Sequence, residues 1–128
     1  MHSDLTANPR IFSVPQSGGS IHDYGKLHLA SNEMISLKTA SGRECDITAK
    51  SWGYYLGPSL NSRLKKEGFK SALVANEQGK IFLHVVESEK LEEFKKYLGE
   101  QPGSRILCWL DEWQDGMSAP IPTGKGPQ

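Results

Sequence analysis

Four histidines, two cysteines and a scatter of carboxylates are the side chains of this 128-residue chain that could ligate a metal or do covalent chemistry. His2, His22, His28 and His84 do not stand at metal-ligand intervals from one another or from Cys45 and Cys108, so the spacing predicts no metal site and no cofactor. Cys45 lies beside Asp46, and a neighbouring carboxylate disfavours the thiolate that a nucleophile needs. Both cysteines therefore read as small apolar residues of strands. His84 falls inside an apolar run. There it is a half-buried packing residue or, in an enzymatic reading, a general base, and His22-Asp23 offers a second acid-base pair. No nucleophile stands beside a base in the sequence, and the catalytic residues are left unassigned.

The richest stretch runs from Ser51 to Phe69. Alternation starting at Glu44 places Cys45, Ile47, Ala49, Gly53 and Tyr55 on one face of a single strand, and Asp46, Thr48, Lys50, Trp52 and Tyr54 on the other. Trp52 and Tyr54 then lie under another segment or form an accessible aromatic platform. Gly57 and Pro58 must end that strand. Ser59 is the expected N-cap of a helix that buries Leu60 and Leu64. Gly68 is its left-handed stop, and Phe69 folds back on Leu64. Gly57, Ser59, Asn61 and Arg63 around the helix start resemble an anion site, since free amides and a guanidinium favour phosphate or carboxylate. With Trp52 and Tyr54 stacking a base or sugar ring, the six residues make one candidate ligand site for an anionic small molecule or sugar nucleotide. An ordinary capped helix is the competing reading. The glycine spacing and lysine of a P-loop are missing.

The elements that must hold these residues follow from periodicity. Met34 to Thr39 and Glu44 to Tyr55 read as a hairpin around Ala40-Ser41-Gly42-Arg43. Phe69 to Ala75 and Lys80 to Val86 read as a second hairpin around Asn76 to Gly79. Leu91, Phe94 and Leu98 mark a second helix that Ser88 caps and Gly99 ends, and Arg105 to Leu110 is a last strand. The order β-β-α-β-β-α-β predicts an α+β fold. It would be a two-layer sandwich whose mostly antiparallel sheet of about five strands is covered by two short helices. Residues 1–32 show no period and are expected to form an irregular arm, residues 33–113 the compact domain, and residues 114–128 a disordered tail rich in proline and glycine.

Fifteen basic and fifteen acidic side chains cancel. The long-range field of a dedicated nucleic-acid binder is therefore absent, although Trp52, Tyr54, Arg63, Lys65 and Lys66 keep a single-strand or RNA-binding alternative open. The chain lacks the run of about 18 apolar residues that a membrane helix needs, and its start lacks the features of a secretory signal, which together imply a cytoplasmic protein. An exposed strand edge with Trp109 or Trp113 offers a homodimer surface.

Trp52-Gly53-Tyr54-Tyr55, Pro58-Ser59-Leu60-Asn61, Arg63-Leu64 and Gly68-Phe69-Lys70, with Ala72-Leu73-Val74 and Asn76, resemble a signature of a family of small uncharacterised bacterial proteins, some associated with surface-glycan gene clusters. The resemblance covers about a quarter of the chain and implies a bacterial, cytoplasmic setting without assigning an activity. The reading that results is a small non-catalytic binding or accessory domain for a nucleotide sugar or phosphorylated ligand. A small enzyme of glycan or nucleotide-sugar metabolism is the alternative, with His84 or His22 as base and Arg63 as anion clamp.

Overall fold

The computed structural model describes residues 1–14 and 19–116. The chain divides into two compact units, one ending at Gly57 and the other beginning at Pro58.

The first unit is all strand. β1 (His2–Val14) and β2 (Gly19–His28) pair as an antiparallel hairpin, and β3 (Met34–Lys38), β4 (Glu44–Lys50) and β5 (Gly53–Leu56) form a three-stranded antiparallel meander. In β1 the register slips between Leu5 and Arg10, where Pro9 has no N–H to give a ladder and Asn8 N–H donates to Thr6 Oγ1 instead, at 3.0 Å. The β3–β4 turn closes at Thr39, whose N–H donates to Arg43 O at 2.9 Å.

The second unit is built on β6 (Phe69–Ala75), which has β7 (Ile81–Glu87) on one side and β8 (Arg105–Trp109) on the other, both antiparallel. α1 (Arg63–Lys66) precedes the sheet and α2 (Leu91–Gly99) follows β7 after a 3-10 turn at Ser88–Lys90. Leu91, Phe94 and Leu98 sit on the inner stripe of α2, as their spacing requires. Phe94 and Leu98 join Ala72, Val74 and Val86 in the core, with Leu91, Ile106 and Trp109 packed around them. Phe94 meets the edge of Trp109 at 6.0 Å between centroids, a geometry that favours two aromatic quadrupoles.

This is not a five-stranded sheet under two helices. Among the described residues strands account for 52% and helix for 17%, in eight strands, three small sheets and one substantial helix. Three physical causes account for the correction. The expected irregular arm carries the longest strand pair, and nearly every residue of β1 and β2 is exposed, so no one-sided burial imprinted an alternation on their sequence. The single strand expected from Glu44 to Tyr55 is broken by a tight turn at Ser51-Trp52, which Gly53 permits with φ +145°. The helix expected after Pro58 shrinks to one turn because residues 59–62 are spent on turns and Gly68, at φ +93°, stops it. Ser88 makes no side-chain cap and instead opens the 3-10 turn before α2. Of the tail expected from 114 to 128, residues 117–128 lie outside the described residues.

Candidate functional site

Two-residue reversal at Ser51-Trp52 decides how the aromatic residues are displayed. Lys50 pairs with Gly53, Ala49 with Tyr54, Thr48 with Tyr55 and Ile47 with Leu56. Paired residues share a face, so the turn inverts the parity expected of an unbroken strand. Tyr54 joins Ile47 and Ala49, and Tyr55 joins Thr48. Trp52, at the tip, stacks on Tyr55 with centroids 6.1 Å apart and planes 17° from parallel. Trp52 and Tyr54 are 72% and 75% exposed, so the described residues of their own unit leave both rings accessible.

Tyr54 stands at the edge of a cleft of about 590 Å³ whose apolar lining includes Leu27, Leu29, Ile35 and Ile47 and whose cation is Lys50. Lys50 Nζ donates to Asn32 Oδ1 at 2.7 Å, and by the same register Lys50 stands next to Ala49 on the alternate face of β4. A ring wall, an apolar floor and one cation suit a molecule with a flat apolar ring face and a polar or anionic substituent.

Gly57 closes this unit with a backbone bond, its N–H donating to Asp46 O at 2.9 Å. The other half of the sequence candidate, Ser59, Asn61 and Arg63, belongs to the second unit. There Ser59 Oγ accepts from Arg63 N–H at 2.9 Å, Ser59 O accepts from Leu64 N–H at 2.9 Å, and Asn61 Nδ2 donates to Trp113 O at 3.1 Å. Their polar groups serve the turn and its anchorage. A four-residue helix aligns too few peptide dipoles to hold an anion by itself.

The histidine candidates separate as well. Asp23 accepts from Arg10 at 3.1 Å and from Gly25 N–H at 3.0 Å, whereas His22 faces Ser20 Oγ at 3.5 Å, so the His22-Asp23 pair is not assembled. His84 lines a cavity of about 330 Å³ with Val74, Phe82, Tyr97, Leu98 and Gln101. His84 Nδ1 and Gln101 Nε2 are both buried there without a hydrogen-bond partner, and the His84 ring leans on Phe94 at 5.4 Å. Neither Cys45 nor Cys108 is in a disulfide.

One polar cluster has no signal in the sequence, because its members are 41 residues apart. β8 ends at Trp109, and from Ser71 back to Phe69 one side of β6 has no strand beside it. The carboxylate of Asp111, 2% exposed, takes that place: Oδ1 accepts from Ser71 N–H at 3.0 Å and Oδ2 from Lys70 Nζ at 2.9 Å. Lys70 also lies 4.7 Å from the Trp109 ring centroid and 3.4 Å from Glu112 Oε2. The hydrogen bond to Asp111 first, and the negative charge of both carboxylates, hold the Lys70 ammonium pKa above its ordinary value against the opposing effect of burial. This cluster finishes a sheet edge and presents no reacting pair.

Comparison with known proteins finds no family model that matches the chain, and neither a curated protein nor a solved structure that matches it. Among the described residues no helix is long and apolar enough to cross a membrane.

Proposed function

We propose that the chain is a small non-catalytic binding or accessory domain whose ligand is a sugar ring carrying an anionic group, as in a nucleotide sugar or sugar phosphate. One observation carries the reading: Tyr54, three-quarters exposed, stands over an apolar cleft that Lys50 also lines. An aromatic face stacks on the C–H face of a pyranose, and an ammonium meets phosphate. The resemblance of residues 52–76 to small bacterial proteins, some associated with surface-glycan clusters, implies a bacterial, cytoplasmic setting and assigns no ligand. The cation of this site is Lys50, in place of the Arg63 clamp expected from the sequence.

The test is a titration of the full chain with sugar phosphates, nucleotide sugars and neutral monosaccharides, read from backbone amide shifts. Shifts should concentrate at Lys50, Gly53 and Tyr54. Tyr54→Ala should weaken binding by roughly tenfold or more, since one stacked ring contributes about 1–3 kcal/mol. Affinity indifferent to Tyr54→Ala, or shifts confined to other residues, sinks the reading.

The unpartnered His84 Nδ1 favours a second reading, a small enzyme of nucleotide-sugar metabolism using the cavity of the second unit. Turnover of a sugar nucleotide that is lost in His84→Ala would put it first. A homodimer has its best surface at β7, an edge strand with Ile81, Phe82 and Leu83 about half exposed, whereas Trp109 is engaged with Phe94 and Lys70. A monomer mass by light scattering at high concentration rejects that dimer. A nucleic-acid ligand is disfavoured by a net charge of zero.

A further inference from the structure

Three side chains converge on one face of the β1–β2 hairpin. His2 and His28 are cross-strand partners, and Asp4, two residues along β1, shares their face. His2 Nε2 lies 3.2 Å from Asp4 Oδ1 and His28 Nε2 lies 3.0 Å from Asp4 Oδ2. The two imidazoles stack with centroids 4.8 Å apart and planes 16° from parallel. One ligand atom from each residue lies within 4.8 Å of the other two, and all three residues are open to solvent.

We propose that His2, Asp4 and His28 form a binding site for a divalent transition-metal cation, with Zn²⁺ the best match. In a tetrahedral zinc site with bonds near 2.0–2.1 Å, neighbouring ligand atoms are about 3.3 Å apart. Each imidazole nitrogen already stands at about that distance from one of the two Asp4 carboxylate oxygens, His2 from Oδ1 and His28 from Oδ2, and one ligand atom from each of the three residues lies within 4.8 Å of the other two. Two imidazole nitrogens and one carboxylate oxygen select a borderline cation over Ca²⁺ or Mg²⁺, which require oxygen. Three protein ligands leave a fourth position for water or a ligand.

A second observation bears on the backbone that carries the carboxylate. Gly25, opposite Leu5, runs at φ +118° and so close to the backbone oxygen of Asp4 that any Cβ there would collide with it. The strand carrying Asp4 is thereby held tightly against β2. Lys26, the register partner of Asp4, shares this face and opposes a cation. The site escapes any reading of local spacing because its ligands come from two strands, 24 residues apart at the longest separation from Asp4.

The test uses the full chain, titrated with ZnCl₂ by calorimetry and with Co²⁺ to read ligand-field absorption and paramagnetic NMR shifts. The expected result is one ion per chain, with paramagnetic shifts centred on residues 2, 4 and 28. His28→Ala and Asp4→Asn should each lower affinity by at least about tenfold, the low end of what even the outer partners of a metal site contribute. His22→Ala, in the same hairpin, should leave it unchanged, and Lys26→Ala should leave it equal or tighter. The Co²⁺ shifts of the unaltered chain need no variant to fold, so the idea stays exposed to failure in any case. No binding at millimolar Zn²⁺, shifts centred on His84 or Cys108, or affinity indifferent to His28→Ala would overturn it.

Discussion

The two units use their apolar residues in opposite ways. Among the described residues, those from Pro58 onward bury Leu64, Phe69, Ala72, Val74, Ala75, Val86, Phe94 and Leu98, whereas up to Gly57 only Cys45 and Ala49 are buried among the apolar residues. The first unit instead exposes Leu5, Ile11, Phe12, Tyr24, Leu37, Trp52 and Tyr54, among others. Hydrophobic stabilisation scales with area removed from water, so the second unit is the source of stability. The first unit is held by ladders and ion pairs, and it spends its aromatic and histidine side chains on its surface. Both proposed binding sites, the Tyr54 cleft and the His2-Asp4-His28 triangle, lie in the unit with the thin core.

The largest effect that sharpens this contrast is truncation in the second core. Leu64→Ala and Phe94→Ala should each cost roughly 2–5 kcal/mol in urea unfolding, because both side chains leave cavities among packed neighbours. Next comes Asp111→Ala, which strands the Ser71 N–H and removes the anion beside Lys70. A loss of about 1–3 kcal/mol is expected for an orphaned buried donor. The same cluster gives a pH signature. Because Lys70 is raised above 10.5 in the folded chain, its contribution is fully present below 10.5 and disappears as pH climbs through the higher folded value. Alkaline unfolding should therefore show a drop above pH 10.5 that Asp111→Asn removes; an unchanged alkaline limb in that variant would sever the link. The smallest effect belongs to the first unit. Leu37→Ala and Ile11→Ala, at half-exposed positions, should stay within about 0.5 kcal/mol, and a loss as large as that of Phe94→Ala would erase the contrast.

The same contrast explains what could be read in the sequence. Both hairpins around Ala40–Arg43 and Asn76–Gly79 and the α2 stripe of Leu91, Phe94 and Leu98 were legible, since turn residues and burial on one side leave a period. β1 and β2 left none, because a hairpin wet on both faces places no constraint on alternation. Ser51-Trp52 carries neither Asn-Gly nor Asp-Gly, so the reversal there was hidden, and with it the exchange of faces between Tyr54 and Tyr55. That Trp52 and Tyr54 are either covered or displayed was readable from their polar neighbours. Their division onto separate surfaces was not. Contacts such as Lys70 with Asp111 and His28 with Asp4 join distant residues by pairing register, which a local pattern cannot encode.

Native-state hydrogen exchange, resolved by residue, tests most directly the claim that stability resides from Pro58 onward and recognition before it. The account predicts that amides of β6 and α2, at Ala72, Val74 and Leu98, exchange only through global unfolding. Amides of β1 and β2 should exchange through local opening at a much smaller free energy. Equal protection in both units, or a β1–β2 hairpin that outlasts β6, would contradict it.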